Sequence, residues 1–131
     1  MPQTKALKVT MEKLSKTYQD EIVGMQKKIE ATQKKYVAES KTQTQTTNDT
    51  RAKELQGEVQ KLEQAKQFAY QDMQKRQNDG LNPIIEKAQK AIEEVAAAKG
   101  ILYVLDASMG KGLLVKKGED IYNAVKTKLG F

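Results

Sequence analysis

Histidine and cysteine are both absent from the chain, so the commonest general base, the commonest metal ligand and every thiolate nucleophile are missing. What remains is carboxylate, hydroxyl and lysine chemistry. The carboxylates stand mainly beside Lys or Gln on helical patterns, where they act as i,i+4 partners and not as a desolvated acid and base pair. Asp106 follows a short apolar run, a place where a catalytic or ligating carboxylate could sit. Far more often such an Asp opens a turn by accepting from its own backbone, here at Ala107, Ser108 or Met109. Gly110-Lys111-Gly112 is too short for a phosphate loop, which needs a longer Gly-framed run from a strand into a helix. Tyr18, Tyr36, Phe68 and Tyr70 could stack single-stranded nucleic acid, but three of the four fall in or beside an apolar seam and they are far apart in sequence, which favours core or partner contact. The expectation is a protein that is not an enzyme and uses no cofactor and no metal.

The elements behind these residues must therefore do their work by surface and shape. The chain has 131 residues, 38% of them hydrophobic and 5% aromatic, which is poor in apolar material for one compact core. Elongated helices suit that composition, because they need only a narrow apolar seam, and association with further copies would supply the missing burial. The net charge of +6 favours an acidic or anionic partner. Lys and Arg are interleaved with Glu and Asp, and the densest basic places are the pairs Lys27-Lys28, Lys34-Lys35 and Lys116-Lys117, so nucleic acid is not the expected partner. No apolar stretch approaches the roughly 18 residues that span a membrane. Met1-Pro2-Gln3-Thr4 lacks the grammar of a secretory signal.

From Leu7 the larger apolar residues fall at Leu7, Met11, Leu14, Tyr18, Ile22, Met25, Ile29 and Tyr36, mostly three and four apart, which predicts a long helix with a heptad-like seam. Two successive steps of four, Leu14 to Tyr18 to Ile22, read as a stutter. Met and Tyr on that seam make it adaptable and weakly specifying. The polar run Ser40 to Asp49 breaks the pattern and predicts a reversal, with Asn48, Asp49 and Thr50 as candidate N-caps. The return segment carries Leu55, Val59, Leu62, Ala65, Phe68 or Ala69, and Met73. Asn78-Asp79-Gly80-Leu81-Asn82-Pro83 weakens the helix, but the pattern resumes at Ile84, so a kink is expected there in preference to a break. Gly100 is placed to end the helix. Ile101-Leu102-Tyr103-Val104-Leu105 reads as a strand, Asp106 to Gly112 as a turn, and Leu113-Leu114-Val115 as a second strand. Gly118-Glu119-Asp120 opens a last helix faced by Ile121, Tyr122, Val125 and Leu129. The expected fold is mainly α with a small β element: a long antiparallel helical hairpin, a coiled-coil arm over 1–81 with its tip near 40–49, attached to a small α+β body over 82–131.

Over most of its length, from Met1-Pro2 and the charged helix that follows to the more specific C-terminal part, the chain resembles the Skp/OmpH family of periplasmic outer-membrane-protein chaperones in its Bacteroidetes-type form. The resemblance is carried by Leu81-Asn82-Pro83-Ile84, Lys87, Ala91-Ile92, Val95-Ala96, Tyr103-Val104-Leu105-Asp106 with Gly110 following, and Gly118-Glu119-Asp120-Ile121. It implies a homotrimer with a β-rich body and three helical-hairpin arms around a cavity, in which unfolded outer-membrane proteins are held without ATP. Positive charge then favours acidic clients and contact with anionic lipid or lipopolysaccharide. The resemblance also implies a signal peptide and a short first strand ahead of the first helix, which the chain from Met1 onward does not contain.

The expected client contacts are Met11, Leu14, Tyr18, Ile22, Met25, Ile29, Tyr36, Leu55, Val59, Leu62, Phe68 and Met73, several of which must instead pack the hairpin. Oligomerisation is expected through Ile101, Tyr103, Leu105, Leu113, Val115, Ile121 and Val125. A structural coiled-coil adaptor or scaffold is the alternative reading, and binding of nucleic acid or a lipid surface through distributed Lys is a weaker third.

Overall fold

The computed structural model describes residues 1–108, 111, 113 and 115–131. Three helices account for most of them: α1 (Pro2–Glu39), α2 (Gln45–Ala98) and α3 (Tyr122–Lys128), with a 3-10 turn at Ser40–Thr42 between the first two. The described residues form two compact units, Lys8–Gln77 and Met1–Leu7 with Asn78–Phe131.

In the first unit α1 and α2 run antiparallel. The reversal is tighter than the polar run suggested, because α2 begins at Gln45 and the expected N-caps Asn48, Asp49 and Thr50 are already helical. Thr44 caps the helix instead: its hydroxyl accepts the Thr47 N–H at 3.2 Å, and its carbonyl accepts the Asn48 N–H at 3.0 Å, the arrangement of an N-cap residue. Asn48 is spent on the turn, donating its side-chain amide to the Ser40 carbonyl at 2.9 Å.

The half-buried positions of α1 are Leu7, Met11, Leu14, Tyr18, Ile22, Met25, Ile29, Thr32 and Tyr36. Thr32 fills the gap between Ile29 and Tyr36. The spacing 4-3-4 repeats from Leu7 to Tyr18 and from Tyr18 to Ile29, and Thr32 continues the row to Tyr36 in steps of three and four. What looked like one stutter in a heptad pattern is thus regular, and the seam averages about 3.6 residues per turn, a period that requires no left-handed supercoil. Burial along this seam is thin. Only Leu62 and Ala69 fall to 7% exposure in the unit.

In the second unit Ala91, Val95 and Ala96 form the buried row. α2 passes through Pro83 without a break. It ends in a Schellman motif: Gly100 takes φ +66, its N–H donates to the Ala97 carbonyl at 3.2 Å, and the Ile101 N–H donates to Ala96 at 2.9 Å. α3 starts at Tyr122, whose N–H is accepted by the Asp120 carboxylate at 2.9 Å. Lys128 of α3 pairs with Glu94 of α2 at 2.7 Å, and Lys99 pairs with Glu119.

No strand occurs among the described residues. The stretch 101–105 has irregular backbone, and so do Leu113 and Val115. Met109, Gly110 and Gly112 of the expected turn, and Leu114 of the expected second strand, lie outside the described residues. A two-stranded hairpin without a third strand or a covering layer is marginal in water. Asp106 does open a turn, its carboxylate accepting the Ser108 N–H at 2.9 Å and the Ser108 hydroxyl at 2.5 Å.

Three helical glycines separate propensity from packing. A Cβ at Gly24 or Gly57 meets nothing within 4 Å, whereas one at Gly80 runs into the Leu7 side chain. Gly24→Ala and Gly57→Ala are expected to stabilise by about 0.5–1 kcal/mol each, the helix-interior penalty of glycine. Gly80→Ala is expected to give no gain unless combined with Leu7→Ala. Urea denaturation followed by far-UV circular dichroism checks all four variants, and equal gains at the three glycines would contradict the close approach of Leu7.

Candidate functional site

Polar groups interrupt the apolar seam of the hairpin at two places. The Tyr18 hydroxyl donates to Asp72 at 2.6 Å, and the Tyr36 hydroxyl donates to Glu54 at 2.8 Å. Tyr18 and Tyr36 are 18 residues apart on α1, as are Glu54 and Asp72 on α2, and 18 residues are five turns of an α-helix. Both tyrosines therefore sit on one face of α1 and both carboxylates on one face of α2, so a single antiparallel register satisfies both bonds.

Each carboxylate or ring is also held by an arginine. Arg76 donates through Nε to the Asp72 oxygen that accepts Tyr18, at 2.6 Å. Arg51 bonds Glu39 at 2.7 Å and lies over the Tyr36 ring, 4.5 Å from its centroid, a cation–π geometry. Arg51, Tyr36 and Glu54 line a shallow pocket of about 410 Å3 near the reversal with Lys35, Thr46, Thr47 and Thr50. Its acids are spent as acceptors: Glu54 takes the Tyr36 hydroxyl, and Glu39 beside it takes Arg51. The site is thus built for holding helices together and not for proton transfer.

Of the expected client contacts, Met11, Leu14, Tyr18, Ile22, Met25, Ile29, Tyr36, Leu55 and Met73 are half-buried and Leu62 is buried. These line the seam between the two helices. Val59 and Phe68 are different, at 44% and 61% exposure. At their level the seam uses Glu58 and Ala69 instead. Phe68 keeps one anchor, an edge contact with Tyr18 at 6.2 Å between centroids. Tyr70 and Val37, each 67% exposed, belong to the same solvent-facing set; neither stands on the helical seam, and isolated apolar residues off a seam carry no period in the sequence.

Of the residues expected at an assembly interface, Tyr103 is 84% exposed, Leu105 68%, Val115 66% and Leu113 40%. Ile101, Ile121 and Val125 are half-buried. Leu102, at 88%, adds to the exposed row. The sequence places it in a buried strand, whereas among the described residues nothing covers it.

The Tyr18 and Arg76 bonds hold the Asp72 carboxyl below its ordinary value. The same bond, with partial burial, pushes the Tyr18 hydroxyl up, and the Glu54 bond does so for Tyr36. A depressed carboxyl stabilises the fold above its unfolded value and loses that contribution as pH falls through the folded one. A raised phenol stabilises below its unfolded value, about 10, and loses that as pH rises through the folded one. Hairpin stability is accordingly expected to decline at both ends of the pH scale. Tyr18→Phe with Tyr36→Phe should flatten the alkaline limb above the ordinary phenol value of about 10, read as the urea midpoint against pH. An unchanged limb would mean that neither hydroxyl matters.

No helix among the described residues is long and apolar enough to cross a membrane. A comparison with curated proteins finds no match to the chain. A comparison with protein families matches residues 1–129 to the family described as outer membrane protein (OmpH-like). That match covers the hairpin, the Pro83 segment and the C-terminal segment together, and with it the chain belongs to the OmpH-like family, whose members are chaperones of outer-membrane proteins and not enzymes.

Proposed function

We propose that the protein is an ATP-independent holdase that binds unfolded outer-membrane proteins in the periplasm and prevents their aggregation, acting as a homotrimer. The observation that carries this reading is the exposure of Val37, Val59, Phe68 and Tyr70 on a hairpin whose own core is only one seam thick. Large apolar side chains that a two-helix unit cannot cover are available to a client, and their scatter along the helices suits clients of varied sequence. The half-buried Met11, Met25 and Met73 deepen that capacity, since thioether side chains repack at little cost.

Assembly is assigned to the row Leu102, Tyr103, Leu105 and Val115. Pairing of 101–105 and 113–115 with the same segments of further copies would supply the neighbours that a lone hairpin lacks, and with them the small β element of the body. The net charge of +6 supports capture of acidic segments and approach to anionic lipid or lipopolysaccharide.

Dilution of a urea-unfolded transmembrane β-barrel protein into buffer without ATP tests the reading by light scattering. Suppression is expected to saturate at about three chains per client, as one closed trimer per client requires. Unchanged scattering from a folded, oligomeric sample would reject the holdase and favour a coiled-coil scaffold. Separately, Tyr103→Asp is expected to reduce the native mass to that of one chain, because a charge buried at an interface costs several kcal/mol; retained mass would remove 101–105 from the interface.

A further inference from the structure

The face of α2 turned away from the seam carries Gln56, Gln60, Gln64, Gln67, Gln71 and Gln74, all exposed. Their spacing of three and four keeps them on one stripe, about half a turn from Leu55, Leu62 and Ala69 and about 27 Å long at 1.5 Å per residue. In a chain with 31% charged residues, the stripe between Lys53 and Lys75 is almost all amide, with the exposed Glu63, three residues from Gln60 and four from Gln67, at its edge. Glu63 pairs with Lys66, and Glu58 and Lys61, farther round the helix, pair with each other, each at 2.7 Å. Phe68, one turn from Gln64 and Gln71, borders the stripe on one side. Tyr70, one turn from Gln67 and Gln74, borders it on the other.

We propose that this amide stripe is the surface on which the hairpin holds extended polypeptide, its side chains bonding the client backbone while Phe68 and Tyr70 take client side chains. The proposal deepens the holdase reading and rests on it. A glutamine amide has both a donor and an acceptor, which match the unpaired N–H and C=O groups of an unfolded chain. A face of amides whose edge carboxylate, Glu63, is paired with Lys66 neither rejects acidic segments nor selects basic ones. Amides roughly 5–6 Å apart along the helix do not match the repeat of about 6.7 Å between like-facing residues of an extended chain. No single register is therefore preferred, and binding is independent of sequence. A second copy of this chain is the wrong occupant, because helix pairing needs an apolar row along its centre, and the stripe has amides there.

The test compares three full-length triple variants for binding a fluorescently labelled, urea-unfolded transmembrane β-barrel protein, with native mass recorded for each. Gln60→Ala, Gln67→Ala, Gln74→Ala removes the amides and keeps good helix formers. Gln60→Glu, Gln67→Glu, Gln74→Glu adds charge to the stripe. Gln19→Glu, Gln26→Glu, Gln33→Glu adds the same charge at the same seven-residue spacing on exposed positions of α1. Both stripe variants are expected to raise Kd about tenfold at unchanged native mass, as three modest hydrogen bonds imply, and the α1 variant to change it little. Wild-type-like affinity in the alanine variant, or equal losses in the two glutamate variants, would overturn the stripe and leave the holdase standing. A change in native mass confined to the stripe variants would make the face an interface between copies and overturn the proposal. Failure of the unmodified protein to bind would remove the holdase reading and this one together.

Discussion

The tyrosine–carboxylate bonds at Tyr18–Asp72 and Tyr36–Glu54 are the constraint on which the hairpin depends. A seam of Leu and Ile interspersed with Met, Ala and one Thr gives many sliding arrangements of similar energy, since apolar contacts are non-directional and thioethers adapt. Hydrogen bonds are directional, and a slip of register costs the half-buried Asp72 its tyrosine partner and breaks the more exposed Glu54 bond with it. Two such bonds, set 18 residues apart on each helix, tie the register to the 3.6-residue period itself. Polar insertions in coiled coils specify alignment at the expense of some stability in the same way.

A hairpin aligned by a few polar bonds needs little apolar burial, which fits its small core of Leu62 and Ala69. The side chains released from packing duty are then free for partners. Phe68 shows how closely the two roles lie: its ring edge meets Tyr18, yet more than half of it faces solvent. The small Ala69 beside it takes the seam position and lets the helices approach. The reversal is treated likewise, with Thr44 capping α2 and Asn48 tying the turn, so that polar side chains carry the alignment while apolar ones remain on the surface.

The C-terminal segment has the opposite economy. Its helical parts are secured within the chain by the Ala91, Val95 and Ala96 row, the Gly100 cap and the Lys128–Glu94 pair. The stretch 101–105 has exposed apolar side chains and irregular backbone. Among the described residues this stretch has neither a paired edge nor a covering layer, the two conditions that make short strands stable. The OmpH-like family match over residues 1–129 includes this segment with the helices.

The sequence by itself determined the helices, the reversal after Tyr36, the end of α2 at Gly100 and the absence of imidazole and thiol chemistry. All of these are local: periodicity, capping and composition are written within a few residues of where they act. It also carried the resemblance in the residues from Leu81 to Ile121. Tertiary structure alone decided that Thr44 and not Asn48 caps α2, that Thr32 completes the seam, and that Ala69 faces inward while Phe68 faces out. Neighbouring positions on a helix differ by about 100°, so when Phe68 and Ala69 are both apolar only the partner helix can choose between them. The Tyr18–Asp72 and Tyr36–Glu54 bonds were likewise invisible, because a tyrosine and a carboxylate 54 or 18 residues apart acquire meaning only when the antiparallel register brings them to hydrogen-bonding distance.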